Sequence, residues 1–259
     1  MKSTVSSHPG RGARKALPGP FLLLMDYDGT LLPLKRHIHQ SYLPVATRRL
    51  LARLANRHQV VLVTGRDLGD LRRIAGPLRG IGKVGTHGLE VEGLPGLRLA
   101  SPTRLKRLER DAAGISKAVT SAYGRTPGVH VQVKRYALSL HYARDLAGKK
   151  GERDFRAGFR RLVRRHGTAG LWQFQGGKAM IDLRPRGFSK ANAVRALKRL
   201  FPTHPVLFAG DDLSDLPALK AVGKRGIRIG IGRVVPRKAC DLWFPTPGSF
   251  TGWLKRMAR

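Results

Sequence analysis

Five of the chain's sixteen acidic residues fall in two short stretches, "MDYDGT" at residues 25–30 and "GDDLSD" at residues 210–215. Each follows an apolar run of β type, "FLLLM" and "PVLFA". Asp26 and Asp28 therefore end one strand, and Asp211, Asp212 and Asp215 follow another. Strand ends of this kind meet at one edge of a parallel sheet, where open α/β folds place their sites. Carboxylates crowded there repel one another unless a cation sits between them. An all-oxygen donor set suits hard Mg²⁺, which takes a few carboxylates together with phosphate oxygens. Gly29 supplies the tight turn after the pair.

Two further positions have the chemistry to hold an anion. In "QVVLVTGRDLGDLRRIAG" a buried strand runs through Val63 and a helix follows with Leu68, Leu71, Ile74 and Ala75 on one face, stopped by Gly76 and Pro77. Thr64, Gly65 and Arg66 lie at the junction, where a hydroxyl and backbone N–H groups can receive phosphate oxygens. In "RPRGFSKANAVRALKRLF" Ser189 is placed to cap a helix with the apolar stripe Val194, Leu197, Leu200 and Phe201. That leaves Lys190 in the first turn, where the helix dipole disfavours a cation by a few tenths to about 1 kcal/mol, a penalty that a bound anion reverses.

The elements that must position these groups alternate between helix and strand, which predicts an α/β fold with a Rossmann-like parallel-sheet core. A first helix is expected within residues 41–58, with Val45, Leu50, Leu51 and Leu54 at helical spacing. The middle reads differently. Leu105, Leu108, Ala112, Ile115 and Val119 mark a helix over 103–123, "VHVQVKRYALSLHY" alternates as a strand or hairpin, a second helix runs through Phe155, Phe159 and Leu162, and "LWQFQGGKAMIDLRP" looks like another hairpin. This order predicts an inserted α+β cap at 98–185, with the core at 21–97 and 186–259. A period of two places Ala179, Ile181 and Leu183 opposite Lys178, Met180 and Asp182, and Lys134 opposite Val131 and Val133. Such a charged sheet face could cover a polar ligand or simply face water.

Fifty lysines and arginines against sixteen acids give a formal charge of +34, which attracts phosphorylated metabolites, nucleic acid and acidic membranes. The charge is spread along the chain, without an aromatic-interleaved stripe of the kind that stacks bases. Residues 1–20 lack an apolar h-region and read as a disordered basic tail. No apolar run is long enough to span a bilayer, the one cysteine, Cys240, allows no intrachain disulfide, and a reducing cytoplasmic setting is expected. "GIRIGIG" lacks the G-x-G-x-x-G spacing that opens a helix, which argues against a dinucleotide site, and the nine histidines show no paired ligand spacing.

"DYDGT", "VTGR", Lys190 at a helix start and "GDDLSD", in that order, resemble the motifs of the haloacid dehalogenase superfamily of phosphatases. "THGLE", "VKRYALSLHY" and "GGKAMIDLRPRGFSKANAVRAL" look like the trehalose-6-phosphate phosphatases within it, which carry a cap between the second and third motifs. That family usually has Glu where Asp182 stands, Arg where Ala143 stands and Glu where Leu216 stands. The resemblance implies Asp26 as nucleophile and Asp28 as acid and base. It implies Mg²⁺ on Asp26, the Asp28 carbonyl and Asp211, with Asp212 and Asp215 supporting the metal shell and Lys190. Thr64, Gly65, Arg66 and Lys190 would bind the phosphoryl group, while Lys134, Lys178, Asp182, Arg144 and Glu90 would meet the sugar. A monomeric enzyme acting on a small sugar phosphate, with no obligatory nucleic acid, is the expectation. Another sugar phosphate as substrate, or a basic nucleic-acid-binding protein, stay open as alternatives.

Overall fold

The computed structural model describes residues 19–35, 40–142, 148–177 and 179–259. The chain forms two compact units, one running to Leu99 and resuming over Ser189–Arg259, the other comprising Ala100–Phe188.

The first unit is built on β1 (Leu22–Met25), β2 (Gln59–Val63), β3 (Gly82–Gly85), β4 (Glu90–Glu92), β9 (Val206–Gly210), β10 (Ile227–Ile231) and β11 (Leu242–Phe244). The sheet order is β11-β10-β9-β1-β2-β3-β4, parallel except for the last pair. β1 is central and wholly buried, which is why "LLLM" has no polar alternation. Its side chains nevertheless sort by face. Leu23 and Met25 join a cluster with Leu50, Leu51 and Leu54 of α1 (Val45–Ala55), Leu71 and Ile74 of α2 (Leu68–Ala75), and Phe250 and Leu254 of α7 (Pro247–Met257). Leu22 and Leu24 face the opposite layer, with Val194 and Leu197 of α5 (Lys190–Leu200) and Leu219 and Val222 of α6 (Leu216–Val222). The result is a helix, sheet, helix sandwich with two apolar layers.

The second unit pairs α3 (Pro102–Tyr123) and α4 (Gly148–His166) with an antiparallel sheet, β5 (Val129–Lys134), β6 (Ala137–Tyr142), β7 (Trp172–Gly177) and β8 (Met180–Pro185), in the order β5-β6-β8-β7. Leu138 opposes Leu183 and Leu140 opposes Ile181, so one sheet face is apolar and buried. Buried Asp111 of α3 accepts the Thr168 N–H at 2.6 Å and the Trp172 indole N–H at 3.1 Å, fixing the α4 to β7 corner.

Three details depart from the sequence reading. Val45 opens α1 and is 52% exposed, because the helix turns its first residue outward. Val133 opposes buried Leu138 but is 55% exposed, since β5 is an edge strand with a neighbour on one side only. Ala179 lies in a turn at φ 56° ahead of β8, not on the strand face. Among the described residues no helix is long and apolar enough to cross a membrane.

Candidate active site

β1 lies between β2 and β9 in parallel register, Met25 beside Leu62 and Ala209, so the residues after the three strands emerge at one sheet edge. The Asp26 N–H donates to the Ala209 carbonyl at 2.9 Å and extends that register by one residue. Asp26, Asp211 and Asp215 are all buried, and a ligand oxygen from each lies within 4.8 Å of the others. Lys190 Nζ reaches Asp26 Oδ1 at 2.9 Å and Asp215 Oδ1 at 2.7 Å. Ser189 caps α5 by accepting the Asn192 N–H, which anchors Lys190 in the first turn as the sequence predicts.

The three acids are not equivalent. Asp215 is fully buried and spends one oxygen on Lys190 and the other on the N–H groups of Asp211 and Asp212, both at 3.1 Å. It fixes the loop and the lysine, leaving Asp26 and Asp211 to offer oxygens to a ligand. Asp211 Oδ1 accepts the Thr30 hydroxyl at 3.0 Å. A Cβ at Gly29, where φ is +73°, would stand 2.0 Å from Asp211 Oδ2, so glycine is required there on both steric and backbone grounds. Asp212 is exposed and shares a capping box with Asp215 over the turn Leu213–Asp215. The contact with Lys190 is made by Asp215.

Electrostatics follow from this crowding. Burial first, and then Lys190 acting against Asp215 and Asp211, leave the Asp26 carboxyl well above the usual carboxylate range. Burial and Asp215 push Asp211 up to about 6. Burial alone would depress the Lys190 ammonium, but Asp26 and Asp215 outweigh it and hold its pKa above that of an ordinary lysine. One buried cation thus stands among three buried carboxylates. A hard divalent cation fits the remaining deficit of positive charge, and the all-oxygen donors suit Mg²⁺ in kind.

Thr64 is buried just past β2, and its Oγ1 accepts the Arg66 N–H at 3.2 Å, so its own hydroxyl proton can be donated elsewhere. The loop is zipped to its neighbour by Thr86 N–H to Arg66 O at 2.7 Å and His87 N–H to Thr64 O at 3.0 Å. Thr86 and His87 both take positive φ, unusual for Thr86 as a β-branched residue, and the zip holds them there. A Cβ at Gly65 would stand 2.6 Å from the His87 imidazole, so Gly65 lets the two loops close.

Arg66 does something the sequence reading did not foresee. Its guanidinium forks onto Asp28, Nε to Oδ2 at 2.5 Å and Nη2 to Oδ1 at 2.7 Å, and its third nitrogen bonds Asp70. Asp70 in turn holds Arg73 at 2.6 Å, and these arginines keep its carboxyl below the usual range although burial pushes the other way. Arg66 therefore orients Asp28 in this structure.

The trehalose-phosphatase family model matches residues 24–239. The chain belongs to the trehalose-phosphatase family. Relatives include the trehalose-phosphate phosphatase of Mycobacterium marinum, 29% identical over 230 residues covering 85% of this chain and 56% of that protein. The trehalose-6-phosphate phosphatase of Escherichia coli K12 is 28% identical over 83% of this chain and 80% of its own length. The chain spans about half the length of the mycobacterial relatives, 56% for that of M. marinum. In fold it is similar to a solved trehalose-6-phosphate phosphatase related protein (TM-score 0.74, 23% identity, 92% of this chain and 96% of that one) and to the C-terminal domain of the Candida albicans trehalose-6-phosphate phosphatase (0.68, 23%, 92% of each).

Of the expected sugar contacts, Lys134 and Asp182 share one face of the second unit's sheet. Lys134 stands two residues from Gln132, which opposes Ser139, and Ser139 opposes Asp182. Arg144 and Lys178 lie outside the described residues. Glu90 accepts the Thr86 hydroxyl at 2.5 Å and the Leu68 N–H at 3.3 Å, which ties it to the first unit's loops. The sequence reading missed Thr30 and Asp70. Thr30 sits inside the quoted "DYDGT", and Asp70 stands four residues after Arg66, in the first turn of α2.

Proposed function

We propose that this chain is a Mg²⁺-dependent phosphatase that hydrolyses trehalose-6-phosphate to trehalose and phosphate. The observation that carries the reading is Lys190 locked between Asp26 and Asp215, beside Asp211 at one sheet edge, in a chain of this family. Asp26 attacks phosphorus, its carboxylate oxygen forming the new P–O bond as the ester P–O bond breaks. Asp28 passes a proton to the departing sugar oxygen, then takes one from the water that attacks the aspartyl-phosphate and frees Asp26. Lys190 and the Thr64 hydroxyl hold phosphoryl oxygens. Arg66 keeps Asp28 in place through both proton transfers. Mg²⁺, held by Asp26, the Asp28 carbonyl and Asp211, supplies charge neutralisation for the phosphoryl group when bound.

We assign the unit Ala100–Phe188 as the sugar-reading cap, with Lys134 and Asp182 on its polar sheet face as hydroxyl partners and with Arg144 and Lys178 as further candidates. The test is phosphate release from trehalose-6-phosphate beside glucose-6-phosphate, sucrose-6-phosphate and glucosyl-3-phosphoglycerate, with Mg²⁺ and with EDTA. A Mg²⁺-dependent preference for the first substrate is expected. Preference for another member would overturn the sugar assignment alone. Asp26→Asn should lose turnover and keep its circular dichroism spectrum, because Lys190 retains Asp215 as a partner; turnover like that of the wild type would sink the mechanism.

A further inference from the structure

The outer face of α4 has no part in the proposed chemistry. Its inner face is apolar, with Phe155, Phe159 and Val163 buried, and Phe159 meets Phe174 edge-on at 5.7 Å between ring centroids. The outer face carries Arg153, Arg160, Arg161, Arg164 and Arg165, all exposed. Among the described residues the one carboxylate paired with an α4 arginine is Glu152, which holds Arg156. Like charges three and four residues apart on a helix each cost about 0.2–0.5 kcal/mol, so this face repels itself in the free protein.

The surface is concave. Two adjoining grooves share Arg160 and Arg164. The first, of about 640 Å³, is lined by Arg153, Arg156, Arg160, Arg161 and Arg164 together with Ala157 and one carboxylate, Glu152, which is spent on Arg156. The second, of about 530 Å³, continues past Thr168, Gln173 and Phe174 to Arg186. Arg160 also lies over the Phe174 ring, 5.4 Å from its centroid, which gives the guanidinium a flat support. From Arg153 to Arg164 is eleven residues, about 16 Å along the helix at 1.5 Å per residue. A nucleic-acid strand in a duplex presents a phosphate about every 3.4 Å of axis, so that length spans four or five phosphates.

We propose that this arginine-lined groove is a second binding site, one that takes the phosphodiester backbone of nucleic acid without reading its sequence. Charge complementarity selects an anion. The concave, linear shape selects a strand over a flat lipid surface, and among its described residues α4 exposes no apolar side chain for insertion into a bilayer, Phe155, Phe159 and Val163 being buried and Leu162 half-buried. Arginine, whose planar fork matches two phosphate oxygens, selects phosphate over isolated carboxylates. No base-edge reader is implied, so affinity should depend on salt and hardly on sequence.

The experiment is fluorescence anisotropy of a labelled 20-nucleotide single strand and of its duplex, titrated with the full chain between 50 and 300 mM NaCl. The wild-type protein is compared with R153E/R160E/R164E and with a charge-matched control on the first unit, R53E/R57E/K255E. The groove variant should bind at least tenfold more weakly at 100 mM salt, with the slope of log K against log[salt] reduced by about 3. The control should change affinity less than threefold. Both variants should keep Mg²⁺-dependent phosphate release and melt no lower than the wild type, which separates this site from the phosphatase reading. Equal losses in groove variant and control would mean diffuse attraction by the whole surface and would overturn the proposal. So would no oligonucleotide binding at 100 mM salt, or groove-dependent binding to phosphatidylserine vesicles without binding to oligonucleotides.

Discussion

At the scale of single residues, the feature that separates this site from a simple carboxylate cluster is the chain Asp28, Arg66, Asp70, Arg73. Asp28 must exchange a proton with a sugar oxygen of high basicity, and its position is set by the Arg66 fork. Arg66 is in turn steadied by Asp70, which touches no reacting atom in the proposed mechanism. Asp70→Asn should therefore act through Arg66 on proton transfer. Proton transfer by a positioned side chain contributes 10²–10⁴-fold, and loosening it should cost about tenfold in kcat on trehalose-6-phosphate. p-Nitrophenyl phosphate, whose leaving group needs no proton, should show less than half that effect in the step that forms the aspartyl-phosphate. Equal losses on the two substrates would assign Asp70 a merely structural role. Asp70 was legible in principle from its i,i+4 spacing to Arg66, but sequence alone does not say whether an arginine after "TG" faces an incoming phosphate or a neighbouring carboxylate.

At the scale of elements, His58 joins the end of the α1 turn to the start of β1. Its Nδ1 accepts the Phe21 N–H at 3.2 Å, and its ring meets the Phe21 ring edge-on. Burial, and secondarily the positive charge of Arg57, hold its pKa below the ordinary histidine value. The sign of the consequence is fixed by linkage. Between the unfolded value near 6.5 and the lower folded value, the unfolded chain binds the proton first, so the contribution of His58 is full above about pH 6.5 and is lost as pH falls through that window. Urea midpoints at pH 7.5 and 5.5 should accordingly fall further apart in the wild type than in His58→Gln; an equal fall in both would remove His58 from the acid sensitivity. Elements with strong periodicity were readable from the sequence for the same reason that they are stable. Leu68, Leu71, Ile74 and Ala75 share one buried face because α2 has a single apolar stripe. β11, three residues long, and the exposure of Val133 were not readable, since both depend on which strand lies at a sheet edge, and edge position is a property of topology. The arrangement was legible where residue type and element end coincide, at Asp26, Asp28 and Asp211 after their strands and at Lys190 in the first turn of α5. It was not legible where a role depends on a partner distant in sequence, as for Thr30, 181 residues from Asp211.

At the scale of the whole molecule, the charge itself becomes a stability term. Sixteen acids cannot pair fifty lysines and arginines, and several acids are already committed in the buried cluster. Most surface cations therefore face other cations, and self-repulsion disfavours the compact state relative to the expanded chain, where the charges lie further apart. Added salt shortens the Debye length from about 30 Å at 0.01 M to about 8 Å at 0.15 M, which screens these long-range repulsions more than it weakens the close, partly buried pairs of Lys190. Stability should rise with salt, the reverse of what a fold held by surface ion pairs would show. Each kcal/mol gained reads as about 2–4 °C for a chain of this size. A thermal scan in 10 mM and then 300 mM NaCl, at constant pH and with EDTA present to keep metal binding out of the comparison, should move the melting temperature up by at least about 3 °C. A single-stranded oligonucleotide in low salt should give part of the same increase through the α4 groove of the wild type and less of it in R153E/R160E/R164E. A melting temperature that falls with NaCl would mean that the few surface pairs outweigh the excess, and that the positive charge is no burden on this fold.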